Sequence, residues 1–169
     1  FAKHTVSLNP FNALASTALI KVYVRRGMYS EAEDIGRKVL SQCPEYILAH
    51  ANLGDVYFVM GRYDLAHDEY KSAHDLMKTN TKGSHLRKAR LFIVDGEYAS
   101  AQTVLEPLVD QEGTFYDDAI CDLMLVYNAL GLAKKKEELV DRMEMRKTYY
   151  PRMKDMLERI QSGRPLLGM

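Results

Sequence analysis

The feature that most limits what this chain can become is a displaced copy of itself. Shifting residues 47–80 back by 34 places sets Leu53 on Leu19, Tyr57 on Tyr23, Gly61 on Gly27, Tyr63 on Tyr29 and Ala66 on Ala32. Matches of this kind at one offset, glycine and tyrosine among them, mark a repeated structural unit. Leu53, Gly54 and Tyr57 fall at i, i+1 and i+4, while Ala66, Tyr70 and Ala73 fall at i, i+4 and i+7, one stripe of a helix. Gly61 is placed to end the first helix in the left-handed conformation, and Asp64 is expected to cap the second. Gly54, Ala66 and Ala73 let two helix backbones approach, and Leu53, Tyr57 and Tyr70 fill the space between them. Such a hairpin has two apolar faces and cannot bury both alone, so it needs neighbours of its own kind.

The pattern Leu53-Gly54-x2-Tyr57…Ala66-x3-Tyr70 resembles the tetratricopeptide repeat, a 34-residue helical hairpin. His50 stands in its tryptophan place and Lys78 in its proline place, while the preceding copy keeps Pro44 and has Gly36 in the large aromatic place. The resemblance implies an all-α fold, a right-handed superhelical solenoid of antiparallel helix pairs. It implies about four complete repeats, at 13–46, 47–80, 82–115 and 117–150, between a partial N-terminal repeat and a C-terminal capping helix.

Taken in order, residues 1–12 read as the closing part of a repeat, because Pro10 lies 34 places before Pro44. The expectation is a fragment of a longer array, against the alternative of a short N-terminal capping helix. Helices are expected at 13–26 and 31–42, with Ser30 and Glu33 as a capping box and Cys43-Pro44 as the stop. The next pair is expected at about 47–60 and 64–78. Gly96, Tyr98 and Ala101 continue the register at an offset of 35, with the extra residue placed in the polar 79–84 linker. Leu86, Ala89, Phe92 and Ile93 share one face there, Lys88 takes the place of Leu53, and Pro107 predicts a kink or early stop near the end of the helix at 99–110. Leu123, Tyr127 and Gly131 repeat the register at an offset of 70, behind a capping signature at Thr114-x-x-Asp117. The helix after them, about 133–149, has drifted, with Lys136 in the place of Ala66. Residues 151–169 read as a capping helix, with Met153, Met156, Leu157 and Ile160 on one face, and a tail.

Composition removes several classes of function. Lysine and arginine number 23, as do aspartate and glutamate, so the formal charge is zero and a general polyanion binder is not indicated. Lys82, Arg87, Lys88 and Arg90 form a basic stretch, but no stacking aromatics interleave it, so nucleic acid is not an expected partner. No run is long and apolar enough for membrane insertion, and no signal peptide or lipidation motif is visible. A cytoplasmic setting is favoured for the segment, although compartment is not readable from it. Cys43 and Cys121 lie in different repeats and read as small buried hydrophobes rather than a disulfide. Neither a phosphate-cradling loop nor a nucleophile elbow is present, and His4, His50, His67, His74 and His85 are not spaced as metal ligands. Asp117, Asp118 and Asp122 could form a carboxylate constellation, but Asp117 and Asp118 read as acids that the dipole favours at a helix start. No enzyme activity, metal or cofactor is expected.

The expected function is a protein-interaction scaffold. In the tetratricopeptide family the first helix of each pair lines a concave groove that takes partner peptides. The resemblance carries this role to Lys21, Arg25, Asn52, Asp55, Phe58, Arg87, Arg90, Leu125 and Asn128. Lys21 and Arg25 are i, i+4 and Arg87 and Arg90 are i, i+3, so a partner with an acidic segment is expected, since arginine pairs bidentately with carboxylate. Reversing Arg87 and Arg90 together is expected to weaken binding and leave helicity intact. Family members that clamp a C-terminal carboxylate use five residues. Only Asn52 and Arg87 match that clamp here, with Thr17, Lys21 and Gly83 in the other places, so a chaperone adaptor is disfavoured. Two alternatives stand beside the scaffold: the repeat arm of a larger enzyme of glycosyltransferase type, and a homo-oligomer formed through the end repeats.

Overall fold

The computed structural model describes residues 13–74, 82–111, 116–145 and 150–166. All regular structure among them is helical: α1 (Ala13–Arg25), α2 (Tyr29–Gln42), α3 (Ile47–Val59), α4 (Tyr63–Ser72), α5 (Lys82–Val94), α6 (Tyr98–Asp110), α7 (Tyr116–Ala129), α8 (Ala133–Met145) and α9 (Pro151–Gln161). The chain divides into two compact units, one built on Phe1–Lys78 and the other on Thr79–Leu167. In the first, α1 packs on α2, α2 on α3 and α3 on α4, and α1 also meets α3. In the second, α5 packs on α6, α6 on α7 and α7 on α8, α5 also meets α7, and α9 lies on α7 and α8. Each packed pair α1–α2, α3–α4, α5–α6 and α7–α8 is joined by only three residues, so its members run back along each other as helical hairpins.

One backbone device makes all four turns. Gly27, Gly61, Gly96 and Gly131 have φ of 73°, 73°, 77° and 67°. The amide after each glycine donates back to the helix it leaves: Met28 to Tyr23 O (2.9 Å), Arg62 to Tyr57 O (2.9 Å), Glu97 to Phe92 O (2.8 Å) and Leu132 to Tyr127 O (2.9 Å). The glycine amides donate to Val24, Phe58, Ile93 and Asn128 carbonyls, completing a Schellman motif each time. Only a residue without a β-carbon adopts this φ at little cost. The repeat-defining side chains Leu19, Tyr23, Ala32, Leu53, Gly54, Tyr57, Ala66, Ala101 and Tyr127 are all buried.

In two hairpins a glycine makes room for a neighbouring side chain. A β-carbon on Gly54 of α3 would lie 2.7 Å from the Tyr70 ring of α4, so the tyrosine occupies the room the glycine gives up. One repeat earlier the same two places hold Ile20 and Gly36, with the bulk on the other helix. The space over Gly36 is taken by the next hairpin instead: Leu53 Cδ1 sits 3.0 Å from where its β-carbon would be.

Several local expectations are corrected. Ser30 and Glu33 do not form a capping box, because α2 starts at Tyr29 behind Met28 and takes no side-chain cap. The carboxylate of Glu33 is spent on Arg37, Arg62 and Tyr57. Asp64 does not cap α4, whose N-cap is Arg62; it lies in the first turn, where it still favours the helix dipole. Pro107 does not stop α6, which continues to Asp110. Its ring is exposed and the missing amide costs one hydrogen bond close to the helix end. Gly83 and Ser84 belong to α5 rather than to a linker. Cys121 is buried, but Cys43 is exposed at the C-cap of α2. Residues 1–12 and Thr114 lie outside the described residues.

Candidate interaction surface

Several of the residues assigned to a common groove are buried within their own unit. Lys21 and Arg25 are exposed on α1. Asn52 is 2% exposed and its amide donates to the Thr17 carbonyl across the α1–α3 contact, at 3.3 Å. Phe58 is buried and stacks on Tyr63, ring centroids 5.2 Å apart. Asp55 is half-buried and accepts the Tyr70 hydroxyl at 2.9 Å. In the second unit Arg87 is half-buried, Leu125 is buried, and half-buried Asn128 accepts from Lys136 Nζ at 2.8 Å. The first helices α3 and α7 are apolar around most of their circumference: Ala49, Val56, Phe58 and Val59 in one, and Ile120, Met124, Leu125 and Val126 in the other, are all buried. Asn52, Phe58, Arg90 and Leu125 are therefore corrected from groove-lining to interior positions.

Arg90 is the clearest correction. It is 2% exposed, and its Nε donates to Asp122 Oδ2 at 2.7 Å while Nη2 donates to Asp118 Oδ1 at 3.0 Å. From α9, Arg152 reaches the other oxygen of Asp122 at 2.5 Å, and the Tyr150 hydroxyl donates to Asp118 at 2.6 Å. Two arginines and two aspartates thus close a neutral, desolvated cluster between α5, α7 and α9. Burial alone would lower the pKa of Arg152, but the adjacent Asp122 charge outweighs it and holds the guanidinium charged. Beside the cluster, burial pushes the Cys121 thiol up to about 12, which keeps it an inert core residue. Asp117 and Asp118 do lie in the first turn of α7, where the dipole favours them, and Asp118 and Asp122 in addition pair across the fold.

A second polar arrangement ties successive hairpins together on the other side of the first helices. In the first unit Tyr57 OH donates to Glu33 (3.3 Å), and Arg62 both pairs with Glu33 (2.7 Å) and lies over the Tyr57 ring at 4.8 Å. In the second, Tyr127 OH donates to Glu106 (2.7 Å), and Lys135 pairs with Glu106 (2.8 Å) and lies over Tyr127 at 5.3 Å. Here the lysine-rich start of α8 finds its reason, since Lys135 serves a carboxylate of the previous hairpin. The Lys135, Tyr127 and Gln102 donors hold the Glu106 carboxyl below its ordinary range against the opposing effect of burial. His50 is likewise structural, with Nδ1 2.6 Å from Glu69 Oε2 and Nε2 2.8 Å from the Pro44 carbonyl.

Among the described residues, the outer face of α1 carries one run of exposed apolar side chains. Leu14 is 67% exposed and Val22 38%, and Ala18 between them is also exposed, so a four-residue spacing lays an apolar stripe along the helix. Exposed Lys21, Arg25 and Arg26 flank it, and α1 contains no acidic residue. Leu14 and Val22 were not singled out from sequence, although their spacing with Lys21 and Arg25 carried the signal. Among the described residues no group of three His, Cys, Asp or Glu is arranged to hold a metal ion. None of the described helices is long and apolar enough to cross a membrane. No family model matches the chain, and no curated protein matches it either.

Proposed function

We propose that the chain is a non-catalytic protein-interaction scaffold of tetratricopeptide type, and that its partner surface is the outer face of α1 rather than a groove shared by all first helices. The observation that carries this is the exposed Leu14–Ala18–Val22 stripe with cations on both flanks and no acid on the helix. An amphipathic segment bearing carboxylates beside its apolar residues complements that face in both respects. The repeat-family half of the reading is supported by four glycine turns with one hydrogen-bond pattern at spacings of 34 or 35 residues. Arg90, Asp118, Asp122 and Arg152 are committed to one another, which leaves them to a structural role.

The test is binding of a fluorescent probe peptide with a Leu-rich helical face flanked by glutamates. Lys21→Glu with Arg25→Glu is expected to weaken its affinity about 10-fold or more while the helical circular dichroism stays unchanged, because both sites are exposed. Equal affinity in the variant and the parent would overturn the assignment. Arg87→Glu with Arg90→Glu is unsuitable for this purpose, since it puts a further carboxylate in place of the guanidinium that buried Asp122 and half-buried Asp118 share.

A further inference from the structure

The last turn of α9 places a serine between two arginines. Ser162 is the C-cap residue and is exposed, with Arg159 three places before it and Arg164 two places after. Its hydroxyl donates to the carbonyls of Glu158 (2.7 Å) and Arg159 (3.3 Å), and Arg164 Nε donates to its Oγ at 2.8 Å. Arg159 is held on the same turn by Asp155 Oδ2 at 2.8 Å and by the Pro165 carbonyl at 3.2 Å. The exposure belongs to the turn itself. Gly163, with φ 66°, closes it as the other four glycines close theirs, the Arg164 amide donating to Arg159 O at 2.9 Å. In those four turns, where another helix follows, the residue before the glycine is exposed at Arg26, Asp95 and Leu130 and half-buried at Met60. A hydroxyl in this place therefore stays reachable when a further helix packs on its own. Ser41, also exposed near a helix end, has Arg37 and Lys38 before it but Gln42 and Cys43 after it, so it lacks the second cation.

We propose that Ser162 is a phosphorylation site for a basophilic protein kinase, and that the phosphate loosens the end of α9. The inference stands apart from the reading of α1. An arginine three places before the acceptor and a second cation after it form a pattern that an acidic kinase cleft reads by charge. In the transfer, Ser162 Oγ forms a bond to the γ-phosphorus of a nucleoside triphosphate held by the kinase. The bond to the β,γ-bridging oxygen breaks, the nucleoside diphosphate leaves, and the hydroxyl proton passes to a carboxylate of the kinase. The esterified oxygen has no proton to donate, so both carbonyl bonds of the hydroxyl are lost. The phosphate also sets about two negative charges at the negative end of the helix dipole, one turn from exposed Glu158. Arg164 follows the phosphate, and Arg159 is drawn towards it from Asp155 and Pro165, so the contacts that close the turn are given up together.

To test it, the intact chain is incubated with ATP and a kinase domain that selects arginine three places before its serine, and the phosphate is located by tandem mass spectrometry. Incorporation is expected at Ser162, with Ser162→Ala abolishing it there and Arg159→Gln slowing it about 10-fold or more. A synthetic peptide of residues 155–166 measures recognition by sequence alone. Should the peptide accept phosphate and the folded chain not, the turn shields its hydroxyl and the proposal falls. Phosphate entering Ser41 ahead of Ser162, or neither substrate reacting, sinks it as well. On the modified chain, hydrogen exchange at the Ser162, Gly163 and Arg164 amides is expected to rise about 10-fold or more over the unmodified chain. Ser162→Ala, which loses the hydroxyl without gaining charge, is expected to stay near the parent. Exchange that does not change on modification refutes the loosening.

Discussion

A β-carbon built on Gly54 falls 2.7 Å from two atoms of the Tyr70 ring, and that ring is fully buried, so it has little freedom to step aside. Gly54→Ala is therefore expected to destabilise the first unit by about 1–3 kcal/mol through overpacking, read as a lower urea midpoint. Combining it with Tyr70→Leu should cost less than the two single changes added together, because the smaller side chain vacates the contested space. At Glu106 the prediction concerns acid. Its folded pKa lies below the ordinary 4.5, so its contribution is fully present above that value and is lost as pH falls through the lower, folded value. Glu106→Gln should accordingly lose less stability between about pH 6 and about pH 3 than the parent does, as measured by thermal or urea melts at each pH.

At the scale of elements, the second unit is held partly by charge. The α9 helix meets α7 through Arg152 and Asp122, the latter with no exposed surface. Asp122→Asn removes the charge that two buried guanidiniums share and is expected to cost roughly 3–5 kcal/mol. Hydrogen exchange should then rise in α5, α7 and α9 together, while α1 to α4 keep their protection; a change confined to α7 would show that the cluster does not couple the three. The helices and their turns were legible in the sequence because glycine conformation and apolar spacing are local rules. Gly27, Gly61, Gly96 and Gly131 each announce a turn without reference to anything distant. The polar clusters were not legible, because their partners come from different helices and from different places in the repeat. Glu33 lies six residues after its turn glycine and Glu106 ten, yet both end up against the tyrosine four places before the next turn glycine in their own unit. Arg90 misled for the same reason: an arginine on a first helix looks solvated until the aspartates some thirty residues away are known.

Across the whole molecule, positive and negative side chains are equal in number, yet they are not evenly spread. α1 carries only cations, and the crevice between α8 and α9 is richer in acid. With no net charge, local patches rather than an overall field govern how a charged group is met. The filling of glycine spaces has a consequence for descent. Gly54 is filled by Tyr70 of its own hairpin, and Gly36 by Leu53 of the next one. A side chain gained at either glycine overfills its spot unless the residue lying over it shrinks as well. Neutral drift there is epistatic: neither site can wander alone, and it is the combined volume that inheritance has to preserve.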